Sequence, residues 1–438
     1  MPEIRPFRAL RYDASSVGDL SDVLCPPYDI LSQVDEEALR ARHAVNFVRL
    51  ILPREEQDLD PYHAARELLE RWREQGTLRR DLAPAYYFYE QEYTLRGSAP
   101  LRRRGIFALV RLHDFSERVV LPHEETLPAP REDRYRLLKT TGAHLDPIFS
   151  LYSDPQHIID RLFEEAARGP CLVDVRDADG IRHRLWLTDR EEDLSRIASA
   201  LATGWVLIAD GHHRYESALK YARSHAPANG PPKPHQYVLM VLCNIEAPGL
   251  SVLPVHRLVH SLSDFDLEAW LHRLEVWFER RTLPLPEDPR RAEAVLEETL
   301  APHRERGGAV AVAVDPRRAD LLVLRPGVDR ARELGASVPG ALLGLDVSLV
   351  HALLLERSLS ITAEEQLRQT RLRYAKSAPG ALEALAGGSA QAAIFLNPTP
   401  IESVVRAARA GLRMPSKSTF FYPKMISGLV IHPFDERG

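Results

Sequence analysis

The chain has 438 residues, enough for two or three domains and a sizeable core without disulfides or structural metal. With 45% hydrophobic and 27% charged residues, wholesale disorder is excluded. A net charge of −5 argues against a general nucleic-acid coat protein.

In chain order, short apolar β-branched runs predict strands over 105–112, 205–209, 237–245, 309–314, 321–324 and 392–396. Apolar residues at helical spacing predict helices over 61–74, 213–225, 266–280, 290–300, 347–357 and 401–410. Asp264 and Asp288 read as helix-start signals, Pro289 suits a first helical position, and Gly411 reads as a stop. The Pro- and Gly-rich stretches 226–235, 282–289 and 338–344 read as loops. Strands and helices are interspersed, so the fold class is α/β (mixed α+β). The expected domains are 1–261, 262–410 and a C-terminal segment 411–438 that packs back on the first.

The three cysteines, Cys25, Cys171 and Cys243, form no C-x-x-C pair, which fits a reducing compartment without a zinc knuckle. No signal peptide or membrane-length apolar run is visible, so the expected location is cytoplasmic. Only six of the 57 basic residues are lysines, a background in which a lysine marks a place where a compact amine is wanted.

The strongest local signal is Asp210-Gly211-His212-His213-Arg214, set between an apolar run and a helical pattern. Glycine permits a sharp turn, and the helix start behind it presents free N–H groups and a positive dipole end. Arg214 can grip a phosphate or carboxylate with two parallel bonds. His212 and His213 can add charge, move a proton or bind metal, and Asp210 can orient a histidine or hold Mg²⁺. The bland alternative is a capped helix with solvated histidines.

Other constellations are shorter. His123-Glu124-Glu125 reads either as a general base or metal ligand or as a solvated charge pair. Arg134, Lys139, Thr140 and Thr141 form either a basic anion-facing stretch or an amphipathic helix. Cys25-Pro26-Pro27-Tyr28-Asp29 reads as a rigid turn with a buried structural cysteine, and Asn46–Leu50 as a strand aiming Asn46 or Arg49 at a pocket. His256-Arg257 could be a second anion clamp. Lys417-Ser418-Thr419 ends like a phosphate loop but lacks its glycines, so a Walker-type NTPase is not supported. Lys417 is favoured as functional over Lys424. No serine-hydrolase elbow, zinc-protease helix or dinucleotide fingerprint occurs.

The segments CPPYDI (25–30), NFVRLILP (46–53), RRGIFALVRL (103–112), LPHEETL (121–127), ADGHHRYESAL (209–219), LPVHRLV (253–259) and MPSKSTFFYPKMISGLV (414–430) together resemble the domain-of-unknown-function 1015 family. The DGHHR element is also distantly similar to the strand–turn–helix of the ParB/sulfiredoxin-like superfamily, which includes free serine kinases. The resemblance implies a ParB/sulfiredoxin-like core in the first domain. It also implies phosphoryl transfer on a small phosphorylated metabolite, serine or phosphoserine with ATP or ADP, in the kinase or phosphatase direction. In that reading Arg214, His123, Arg257, Lys417, Ser418 and Thr419 bind phosphate or substrate. Glu124, Asp210, His212 and His213 do the chemistry, with Mg²⁺ and a nucleotide as cofactors. The alternative is a nucleotide- or anion-binding regulatory module without turnover. Sulfiredoxin chemistry needs a cysteine that the 210–215 loop lacks. A nucleic-acid or membrane partner is not expected.

Overall fold

A computed structural model describes residues 1–56, 58–95, 98–225, 231–336 and 338–435. Part of the expected 226–235 loop lies outside these residues. The fold is mixed α/β, in two units. Unit 1 comprises Met1–Pro122, Thr126–Leu250 and Pro423–Gly438, and unit 2 comprises His123–Glu125 and Ser251–Tyr422.

Unit 1 is built on one large mixed sheet. From one edge the strands run Val120–Leu121, Val206–Asp210, Ile148–Tyr152, Tyr237–Asn244, Leu101–Arg111, Tyr86–Tyr93, Arg182–Thr188 and Val173–Arg176, with Ile4–Arg5 also pairing Leu101–Arg111. All eight residues of Tyr237–Asn244 are buried, as a strand covered on both faces requires. Ile106, Ala108 and Val110 alternate onto one face with Val206, Ile208, Val238, Met240 and Leu242. There they meet Ile159, Leu162 and Phe163 of helix Ile158–Ala166 and Tyr215 and Ala218 of helix His212–Ser224. Each such large side chain contributes about 1.5–3 kcal/mol on burial.

Unit 2 holds an antiparallel sheet in the order Phe278–Pro284, Arg318–Leu324, Ala309–Asp315, Ala392–Leu396, His256–Val259, Leu372–Ala375. Helices Pro289–Leu300 and Ala378–Ala386 cover one face. Ala309, Ala311 and Ala313 line that face, and their small side chains let the helices come close.

The expected strands and most helices form at or near the expected bounds. Asp288 caps Pro289–Leu300 through Arg291 N at 2.9 Å, and Gly411 follows Ile401–Arg409 with φ 75°. Four local expectations are corrected. The helix expected over 266–280 stops at Leu274, and Phe278–Pro284 continues as an edge strand, where a proline is tolerated. The loop expected from 282 therefore begins inside that strand. The cap is Asp266, which accepts from Ala269 N, whereas Asp264 lies in the left-handed region. The expected strand at Asn46–Leu50 is instead the short helix Val48–Ile51.

Asn46 explains that last difference. Its fully buried amide donates to Asp22 O at 2.7 Å and accepts from Val48 N at 3.0 Å, so it caps a helix. Asn46→Ala should cost about 2 kcal/mol by leaving both groups unpaired, read as a lower urea midpoint. His256–Val259, expected in the first domain, pairs in the unit 2 sheet because its partners Leu372–Ala375 and Ala392–Leu396 lie there.

Two buried histidines make unit 1 sensitive to acid. His144 and His432 stack with ring centroids 5.9 Å apart. Burial pushes their pKa values down to about 4 and about 3. In the unfolded chain both titrate near 6.5, so between these values the unfolded state binds more protons. Their contribution is full above about pH 6.5 and is lost as pH falls through about 4 and 3. The urea midpoint at pH 5 should lie below that at pH 7.5, and substituting both histidines by phenylalanine should flatten the dependence.

Candidate functional site

The DGHHR segment forms the turn its residues suggest. Strand Val206–Asp210 ends at Gly211, whose φ of 97° suits glycine, and helix His212–Ser224 begins at once. A Cβ at Gly211 would lie 3.0 Å from the Arg214 guanidinium, so a bare backbone is needed for Arg214 to fold back over the turn.

Arg214 is the centre of the unit 1 cluster. Its side chain is 12% exposed. Nη1 donates to Pro147 O, Nη2 to Asp210 Oδ2 at 3.3 Å, and the buried Nε–H has no partner among the described residues. Lys424 Nζ donates to the other Asp210 oxygen at 3.1 Å. Asp146 is buried, and its Oδ1 is also unpartnered. Burial pushes its carboxyl up, while Arg214 and a hydrogen bond from Ser427 pull it down, leaving it raised. Arg134 sits 4.1 Å from the Tyr28 ring centroid and donates to Ile51 O. Asp29 acts electrostatically on Arg214 and Asp146.

Arg214, Arg134 and Lys424 thus face Asp29, Asp146 and Asp210, and Arg134 is also paired with Asp133 at 2.5 Å. A void of about 40 Å³ lies against Arg134, Asp146 and Arg214, room for a few waters or the oxygens of a phosphoryl group but not for a nucleoside.

A clamp presents Lys424. Arg103, 3% exposed, donates to Pro423 O and Gln91 Oε1, and its guanidinium lies 4.6 Å from the Phe149 ring centroid. Gln91 in turn donates to Lys424 O at 2.8 Å. The bridge between Cys25 and Ser427 ties the CPPYDI turn to the same C-terminal segment. Burial pushes the Cys25 thiol up, in keeping with a structural cysteine.

His212 is buried at the first helical position. His213 accepts from Leu127 N at 2.9 Å, so its Nε2 carries no proton and holds the start of helix Pro128–Thr141. Arg134, Lys139, Thr140 and Thr141 all lie on that helix.

The remaining candidates form a separate set in unit 2. His123, fully buried, shares a hydrogen bond with Thr419 Oγ1 at 3.0 Å. Glu124 Oε1 accepts from Lys417 N at 2.9 Å. Lys417 has φ 58° and an exposed side chain, and its carbonyl accepts from Arg257 at 3.2 Å. Ser418 donates to Pro415 O. Arg257, 1% exposed, also meets His351 Nε2 at 3.1 Å, and burial pushes its pKa down to about 10.

Tyr28 and Asp29 read in the sequence only as part of a rigid turn, Asp146, Arg103 and Gln91 are not singled out there, and Lys424 ranks below Lys417. The scarcity of lysine was the available signal for Lys424. Asp146 and Gln91 carry none, since single polar residues in apolar surroundings are common.

Among the described residues, no three His, Cys, Asp or Glu side chains gather to hold a metal, and no helix is long and apolar enough to cross a membrane.

No curated protein matches the chain. Among solved structures it is similar to a free serine kinase in complex with AMP, at 14% identity and TM-score 0.36, covering 74% of this chain and 92% of the kinase. A conserved hypothetical protein from Pyrococcus furiosus is similar at 14% identity and TM-score 0.35, with 74% and 94% covered. SbnI from Staphylococcus aureus, with a C-terminal truncation, is similar at 9% identity and TM-score 0.34, with 76% and 90% covered. The model of the family described as "Protein of unknown function (DUF1015)" matches residues 4–348, and the chain belongs to that family.

Proposed function

We propose that the chain transfers a phosphoryl group to or from a small metabolite and holds the phosphate at the Asp210–Arg214 turn. The observation that carries this reading is the buried Arg214 guanidinium with an unpartnered Nε–H, folded over Gly211 at the start of a helix. A phosphate oxygen at Nε would satisfy that donor, and the helix N-terminus and Lys424 add positive potential. These groups stabilise the charge on the equatorial oxygens as the phosphoryl group moves. Asp210 keeps Arg214 and Lys424 in place, and Asp146 is the carboxyl able to hold a proton against the phosphate. A Mg²⁺ held by Asp210 would have to displace Arg214 or Lys424, since both carboxylate oxygens are already bonded to them. Such an ion would neutralise phosphate charge. Glu124, His123, Arg257, Lys417, Ser418 and Thr419 have no part assigned in this reading.

The resemblance of the DGHHR segment supplies serine and phosphoserine as the first substrates to try. The second reading, a nucleotide- or anion-binding module without turnover, is favoured by His213, whose Nε2 is already engaged by Leu127. Phosphorus NMR separates the two. The protein is incubated with Mg²⁺ and ATP plus serine, ADP plus serine, ADP plus phosphoserine, or phosphoserine alone. A new resonance that disappears in Arg214→Lys supports phosphoryl transfer and gives its direction. Line broadening of the phosphates without product supports the binding module. Unchanged spectra in all four mixtures exclude serine and phosphoserine as substrates.

A further inference from the structure

Unit 2 contains a cavity of about 410 Å³, within the size range of ligand sites. Leu334, Val338, Leu342, Leu367 and Met414 give it an apolar part, beside polar groups that include Gln366 and Arg413. One side is formed by Ser348, His351, Ala352 and Glu356, where helix Asp346–Leu349 passes into the π-helix Val350–Arg357. A wide π turn of this kind is rare and recurs at functional sites.

Two polar features at this side are incomplete. Ser348 is 4% exposed, and its Oγ has no hydrogen-bond partner among the described residues. Arg257 lies behind His351 and Tyr374, with its guanidinium 5.4 Å from the Tyr374 ring centroid. Its bonds go to Val255 O, Lys417 O and His351 Nε2, all neutral acceptors, and its Nε has none. Arginine only donates, so His351 Nε2 accepts, and burial keeps this ring neutral with its pKa pushed down to about 3. The buried guanidinium has no carboxylate bonded to it, although Glu124 acts on it electrostatically, and it leaves positive potential behind the His351 and Tyr374 wall. Three charged side chains also line the cavity: Glu125 and Glu356, both exposed, where water and salt screen their charge, and Arg413, which donates to Glu124 O at 2.9 Å.

We propose that this cavity binds a small monocarboxylate with an apolar body. The carboxylate accepts from Ser348 Oγ and lies toward the Arg257 charge, and the body fills the space between Leu342, Leu367 and Met414. The proposal does not depend on the phosphate reading, because every residue it uses lies in unit 2.

The test is calorimetric titration of the full chain with 3-phenylpropanoate, phenylalanine and 3-phenylpropanamide. At least one of the two acids should bind saturably below about 1 mM, and the neutral amide at least tenfold more weakly. The comparison of the two acids reads whether an ammonium group is accepted beside Glu125 and Glu356. Ser348→Ala should weaken the acid about tenfold, and Ala352→Phe, which fills the cavity, should abolish binding. Unchanged thermal melts establish that both variants are folded. If Ala352→Phe does not fold, Ser348→Ala decides alone. No binding of either acid, equal binding of acid and amide, or binding unaffected by Ser348→Ala would overturn the proposal.

Discussion

Arg214→Ala should reduce phosphoryl transfer by about 10²–10³, the usual loss when one pre-set donor to a developing anion is removed. The guanidinium is also structural: it donates to Pro147 O and Asp210 and acts electrostatically on Asp146. Removing one partner from a buried charged cluster costs about 3–5 kcal/mol. The melting temperature should therefore fall by several degrees, at about 2–4 °C per kcal/mol for a domain of 150–250 residues. Arg214→Lys separates the two effects. It keeps a charge beside Asp210 and should regain much of the stability, but it lacks the planar fork and should recover little turnover. Full turnover in Arg214→Lys would show that only the charge matters at this position.

Arg103→Met carries the second large expected effect, although Arg103 does not touch the phosphate turn. Its loss leaves Gln91 Oε1 and Pro423 O without their donor in the interior. Two buried acceptors at about 1–3 kcal/mol each make a cost of about 3 kcal/mol reasonable. The C-terminal segment then loses one of the anchors that hold Pro423 and Lys424. Limited proteolysis should cut near residue 423 sooner than in the wild type, and phosphate affinity should fall because Lys424 no longer meets Asp210. A stable variant with unchanged affinity would mean that Gln91 alone positions Lys424.

The local half of the site was legible in the sequence. An apolar run, a glycine and a helical pattern fix the turn at Asp210–Arg214, because each needs only its neighbours in the chain. The convergence of the CPPYDI turn, Asp146, the DGHHR turn and Lys424 was not legible. Lys424 and Asp210 are brought together by sheet pairing and the Arg103–Gln91 clamp, and no spacing encodes such a meeting. The same limit hid two strands. Tyr86–Tyr93 and Arg182–Thr188 carry charges among their aromatics, which weakens the apolar signal. In the sheet Glu90 is flanked by Arg104 and Arg184 on the neighbouring strands, so its charge is matched across the ladder. The helix expected over 266–280 failed differently: the periodic pattern continued past Leu274, but strand Arg318–Leu324 offered Phe278–Pro284 an edge to pair with.

In the phosphoryl-transfer reading, a phosphate oxygen fills the unpartnered Nε–H of Arg214. Proton–nitrogen NMR of protein labelled with ¹⁵N-arginine observes that group directly, and its signal is assigned by its absence in Arg214→Lys. On titration with inorganic phosphate or phosphoserine, the Arg214 Nε–H resonance should move downfield and saturate, and the same end point should be reached with the phosphate that turns over. An Arg214 resonance that stays fixed at saturating phosphate, while another arginine signal moves, would contradict the account and place the anion elsewhere.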